Sequence, residues 1–96
     1  MMQARVIETP SFQQAYRQLS PRIQKIVDNK IEQLLKNQAH PSLQAHRLRQ
    51  ARAKGVWICY ISITKRLLYQ YKDSAIYLLD VGEHCVVERI HQRRFE

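Results

Sequence analysis

The chain has 96 residues, of which 45% are hydrophobic and 25% charged, with only two glycines and three prolines. This is the composition of one small globular domain spanning 1–96, and it excludes disordered, collagen-like and low-complexity classes. Sixteen lysines and arginines against eight acids give a net charge of +8 and an isoelectric point near 9.9, which points to polyanionic partners such as nucleic acid, the ribosome or an acidic protein.

Residues 3–8 hold Ala4, Val6 and Ile7 and read as a first strand. Thr9-Pro10 then has the form of a helix start: the hydroxyl can cap free amides, and proline loses no bond at the first helical position. Phe12, Ala15, Tyr16 and Leu19 follow at helical spacing. Ser20-Pro21 repeats the same start. A second helix carries Ile23, Ile26, Val27, Ile31, Leu34 and Leu35 along one face, with Arg22, Lys25, Asp28, Asn29, Glu32 and Lys36 on the other. His40-Pro41 ends it, and the two helices should form an antiparallel hairpin.

After Pro41 the apolar period changes to two. Val56–Ile63 alternates, with Trp57, Cys59, Ile61 and Ile63 on one face and Ile58, Tyr60 and Ser62 on the other. Residues 66–72 repeat the pattern, with Leu67, Tyr69 and Tyr71 opposed to Arg66, Leu68, Gln70 and Lys72. Asp73-Ser74 is a tight hairpin turn without glycine. Ala75–Val81 is apolar at nearly every position and reads as a central strand that Gly82 ends. The expected fold is α+β, a four-stranded, mostly antiparallel sheet with both helices on one face. Its other face should then be partly bare, carrying Ile58, Tyr60, Ser62, Arg66, Leu68 and Gln70.

The longest mostly apolar run, Val56–Ile63, is far shorter than the roughly twenty residues of a membrane helix, and the first five residues lack an apolar signal core. A cytoplasmic protein is therefore expected, with no membrane partner. Cys59 and Cys85 have no paired Cys/His spacing and read as buried free thiols. His40 and His46 flank a proline loop and make a weak metal motif, so no metal or cofactor is expected. Arg47, Arg49, Arg52 and Lys54 lie within eight residues without an acid, forming a basic strip that leads into the sheet.

Three segments resemble the RelE/ParE superfamily of bacterial toxin–antitoxin toxins over about residues 3–88. His46-Arg47-Leu48-Arg49 is similar to the family's basic-Leu segment. Arg66-Leu67-Leu68-Tyr69-Gln70-Tyr71 is similar to its Arg-Leu-x-Tyr strand. Leu78-Leu79-Asp80-Val81-Gly82-Glu83-His84 is similar to its last strand, and the Gly-x-His ending resembles the YafQ-like branch. The resemblance implies a ribonuclease that cleaves mRNA on the ribosome and is neutralised by a cognate antitoxin. ParE-type members share the fold but act on DNA gyrase, so the fold alone does not choose. A third reading is a module that keeps only RNA or antitoxin binding.

Metal-independent RNA cleavage needs a base for the 2′-hydroxyl, cations for the phosphate and an acid for the leaving oxygen. By the resemblance, Arg66 supplies the phosphate cation and His84 the proton-transfer group. Tyr60, on the same face, can stack on a base or donate a proton. Arg47, Arg49, Lys54 and Lys65 are the candidate RNA-backbone contacts, and His46 is a second possible proton carrier. The family founder's strand lysines are absent; Ile58, Tyr60 and Ser62 stand there. The catalytic set would then lean on Arg66 and His84.

Overall fold

The computed structural model describes residues 5–37, 40–47 and 55–83. In chain order these form β1 (Arg5–Glu8), α1 (Pro10–Arg17), α2 (Pro21–Lys36), a single 3-10 turn (Pro41–Leu43), β2 (His46–Arg47), β3 (Val56–Tyr60), β4 (Lys65–Lys72) and β5 (Ala75–Glu83). The sheet order is β1-β5-β4-β3-β2. β1 runs parallel to β5, and the remaining pairs are antiparallel. The α+β class and the two-helix hairpin agree with the sequence reading. The sheet has five strands rather than four, because His46-Arg47 pairs with Ile58 and Trp57. Two residues are too few to leave a periodic signal.

Both helices begin as their Thr-Pro and Ser-Pro signatures predict. The Thr9 hydroxyl accepts from the Phe12 amide and the Ser20 hydroxyl from the Ile23 amide, each at 3.3 Å. α1 and α2 are joined by the Gln24 side-chain amide donating to the Tyr16 carbonyl at 2.9 Å and by the Tyr16 hydroxyl donating to Asp28 at 2.8 Å. Phe12, Val27 and Leu34 reach down from the helices onto Leu43, Cys59, Ile61, Leu67, Tyr69, Ile76, Leu78 and Val81.

The apolar parity of β5 breaks at one residue. Leu67 pairs with Val81 and Leu68 with Asp80, but Tyr69 pairs with Leu78, so Leu79 is an extra residue in the ladder. The bulge puts both Leu78 and Val81 on the helix face and turns Asp80 to the other side. The two carbonyls at this step are taken by the start of α1. The Thr9 hydroxyl donates to the Leu78 oxygen at 2.7 Å, the Thr9 amide to the same oxygen at 3.2 Å, and the Ser11 hydroxyl to the Leu79 oxygen at 2.7 Å.

Three sequence expectations change. β3 ends at Tyr60 rather than at Ile63, and residues 61–64 form the hairpin loop. Ile63 is consequently 81% exposed instead of facing the core. Tyr71, expected beside Leu67 and Tyr69, is partly exposed near the far end of β4. The face expected to be partly bare is covered at its centre: Ile58 and Leu68 are buried on it, along with Val56 and Leu79. The hairpin turn is confirmed: Asp73 and Ser74 both adopt positive φ, at 52° and 61°, as a two-residue turn of this hand requires.

Thr9→Val keeps the volume but removes the cap and the bonds to β5. It should lower stability by about 1–2 kcal/mol, read as a lower denaturation midpoint in urea with an unchanged slope. An unchanged midpoint would show that the link between α1 and the bulge carries no weight.

Candidate functional site

β3 and β4 bring Tyr60 and Arg66 face to face as a register pair, and β5 places Gly82 opposite Arg66. The row Tyr60–Arg66–Gly82 lies at one end of the sheet, on the face away from the helices. Gly82 offers no side chain beside the guanidinium. The next row on the same face, two pairs further in, is His46–Ile58–Leu68–Asp80. His46 therefore shares a sheet face with Arg66, whereas Arg47 belongs to the row of Trp57, Tyr69 and Leu78 on the helix face.

Two sets of contacts fix Arg66. Its guanidinium lies 5.0 Å from the centre of the Tyr60 ring, an attraction of about 0.5–1 kcal/mol at a partly exposed site. Its Nη1 donates to the carbonyls of Ser62, Ile63 and Lys65 in the β3–β4 loop. Arg66 is thus a brace for that hairpin as well as a fixed positive charge, and among the described residues no carboxylate pairs with it. A planar guanidinium held by one nitrogen keeps donors on its other edge for a phosphate.

Lys65 is placed differently. Its ammonium makes an ion pair with Glu83 at 3.3 Å across the β4–β5 register. Arg47 is exposed on β2, and the His46 ring Nδ1 lies 3.2 Å from the Gln44 carbonyl. His84, Arg49 and Lys54, together with Cys85, lie outside the described residues. Among the described residues no group of three His, Cys, Asp or Glu side chains could hold a metal, and no helix is long and apolar enough to cross a membrane.

Sequence reasoning passed over Lys30 of α2. Its ammonium lies 5.9 Å from the centre of the same Tyr60 ring, on which Lys30 and Arg66 therefore converge. The signal was present: Lys30 stands at a position of the stripe formed by Ile23, Val27 and Leu34, where an aliphatic residue is expected.

Cys59, buried on the helix face of β3, is no nucleophile. Burial pushes its thiol up to about 12, against the smaller opposing effect of the Lys30 charge. The native state keeps a proton that the unfolded thiol releases. This group's contribution to stability is complete below the ordinary thiol value and declines as the pH rises toward about 12.

No protein-family model matches the chain, and no characterised sequence matches it significantly. Solved structures do. A copper-bound toxin variant from Helicobacter pylori is 24% identical and superposes with a TM-score of 0.70, over 86% of this chain and 97% of that one. YafQ from Escherichia coli is 15% identical with a TM-score of 0.73, over 88% and 98%. A chain of the RelBE2 toxin–antitoxin complex of Mycobacterium tuberculosis is 22% identical with a TM-score of 0.68, over 86% and 100%.

In a Cys85→Ser background, Cys59 should resist a thiol-specific disulfide reagent at pH 8 and react fully once the protein is denatured. Rapid reaction of the native protein would contradict its burial.

The structural neighbours of this chain are RelE-, YafQ- and YoeB-type toxins of toxin–antitoxin systems, and it has their fold.

Proposed function

We propose that the protein is the toxin of a toxin–antitoxin pair and cleaves mRNA without a metal ion, on the ribosome, until a cognate antitoxin covers it. The observation that carries this reading is the Arg66–Tyr60 pair, 5.0 Å apart at the end of a sheet with the toxin fold. A gyrase inhibitor of the same fold requires no such arrangement.

In this reading a phosphodiester sits against the free edge of the Arg66 guanidinium. The charge that builds on the phosphate as the 2′-oxygen attacks meets a donor already held by the loop carbonyls and the Tyr60 ring, so little reorganisation is required. Tyr60 covers one side of the site, where it can stack on a base or supply a proton. His84 follows β5 directly, two residues after Gly82, and is assigned proton transfer because imidazole titrates near neutral pH. His46, on the Arg66 face, is the second carrier to test. The net charge of +8 favours an RNA substrate and an acidic antitoxin segment alike. Arg47, Arg49 and Lys54 are assigned to backbone or antitoxin contacts. Lys65 is assigned a smaller part, since Glu83 already balances its charge.

The test is cleavage of ribosome-bound message by purified variants. Arg66→Lys keeps a charge and one donor for the hairpin but loses the planar fork. It should cost about 2–4 kcal/mol of transition-state stabilisation, by analogy with removal of one oxyanion donor, while the melting midpoint changes little. His84→Gln should lose about 10²–10⁴-fold in rate, because glutamine keeps a hydrogen bond but carries no proton. Wild-type cleavage rates for both variants would overturn the roles given to Arg66 and His84; no cleavage by the wild-type protein, with growth arrest intact, would overturn the ribonuclease reading in favour of gyrase.

A further inference from the structure

The sheet sorts its charges by face. Val6, Tyr69 and Ile76 pack under the helices, so alternation turns Arg5, Lys72 and Ala75 to the opposite side. That side also carries Arg66. The acids Glu8 and Glu83 fall on the helix side, together with Arg47 and with Lys65, which Glu83 neutralises. Among the described strand residues, the one acid on the far side is Asp80. It is 1% exposed, and its Oδ1 accepts from the Val81 amide at 2.8 Å. The accessible charges of the far side are therefore cationic.

Arg5 and Lys72 stand at the end opposite to the Arg66–Tyr60 pair, and both are exposed. They flank Ala75 in one row, Arg5–Ala75–Lys72, which sets their Cα atoms about 10 Å apart across two strand spacings. Six residues of β4 put Lys72 about 20 Å from Arg66, at roughly 3.3 Å per residue. Among the described residues neither side chain makes an ion pair or a hydrogen bond. Asp73, in the adjoining turn, pairs with neither. Tyr77 lies on the same face in the next row, between Ile7 and Gln70, and is half-buried. Two cations beside an aromatic ring are the elements of a nucleic-acid contact: the charges meet phosphates and the ring meets a base. The buried residues Ile58, Leu68 and Leu79 lie between the two ends of the face, so this end makes its contacts separately from Arg66.

We propose that Arg5 and Lys72 form a second RNA-backbone site, at the end of the sheet remote from the reacting phosphate. This rests on the ribonuclease reading and adds a site outside the reacting centre. The backbone belongs either to the substrate strand, continued along the sheet, or to ribosomal RNA beside it; the two present the same phosphates. Arg5 and Lys72 anchor the RNA and take no part in proton transfer.

The experiment uses Arg5→Gln combined with Lys72→Gln. Affinity is measured against salt for a single-stranded 2′-O-methyl oligonucleotide, which cannot be cut, and for ribosomes programmed with the same oligonucleotide. Losing two phosphate contacts should flatten the slope of log K against log salt by about 1.4, at about 0.7 per single-strand contact. Flattening with the free oligonucleotide assigns the site to the substrate strand, and flattening with ribosomes alone assigns it to ribosomal RNA. Both side chains are exposed, so the melting midpoint should not move. Cleavage of ribosome-bound message should show a raised KM at an unchanged kcat. Arg5→Lys combined with Lys72→Arg should keep both wild-type slopes, as should Lys25→Gln on the exposed side of α2. Wild-type slopes for the double Gln variant on both probes overturn the inference, and so does a lowered kcat at unchanged KM. Weakened binding of polyglutamate with both RNA slopes intact also overturns it and gives this end to an acidic protein. If Arg66→Lys still impairs cleavage in those cases, the ribonuclease reading stands without the second site. Failure of the wild-type protein to bind either RNA probe at low salt overturns both.

Discussion

The hydroxyls of Thr9 and Ser11 hold the carbonyls of Leu78 and Leu79 at the irregular step of β5, an interior strand, and much of the molecule follows from that contact. The bulge leaves two backbone oxygens facing the start of a helix, and the helix start supplies donors that cap its own first turn as well. Such groups are costly to leave unmatched inside a protein. The extra residue also resets the alternation of β5, so Leu78 and Val81 both pack under the helices and Gly82 arrives opposite Arg66. A regular strand would give Leu79 as the partner of Tyr69 and turn Leu78 away from the helices. The joint between β5 and α1 thus determines which residues of β5 the sheet end presents.

Electrostatics at that end is built from both layers. Arg66 comes from β4, Tyr60 from β3 and Lys30 from α2, and both cations lie within about 6 Å of the ring centre, where the aromatic face attracts positive charge. Lys65, although adjacent to Arg66 in sequence, is neutralised by Glu83. Counting basic residues along the chain would rank it equally with Arg66, and pairing across strands separates them.

Much of the fold was legible from local chemistry. Thr9-Pro10 and Ser20-Pro21 marked both helix starts, the stripe of α2 marked its buried face, and Asp73-Ser74 marked the turn between β4 and β5. What stayed hidden was set by tertiary pairing. Residues 75–81 are apolar almost throughout, so no alternation could reveal the extra residue at Leu79. Ile63 continued the alternation of β3 in sequence but belongs to the loop that Arg66 braces. β2 is too short to have a period. At the site, Arg66 and Tyr60 were readable because each lies on a clearly alternating strand. Lys30 was not, since a lysine in an apolar helical stripe has meaning only once the strand end beneath it is known.

In the proposed function, this sheet end cuts RNA. The most direct measurement is transcript 5′-end mapping in cells after brief induction of the wild type and of Arg66→Lys. A ribosome-dependent ribonuclease gives new 5′ ends within translated coding regions, in frame with codons, which fade in the variant and vanish when translation is blocked. Growth arrest with intact transcripts and signs of DNA damage would contradict it.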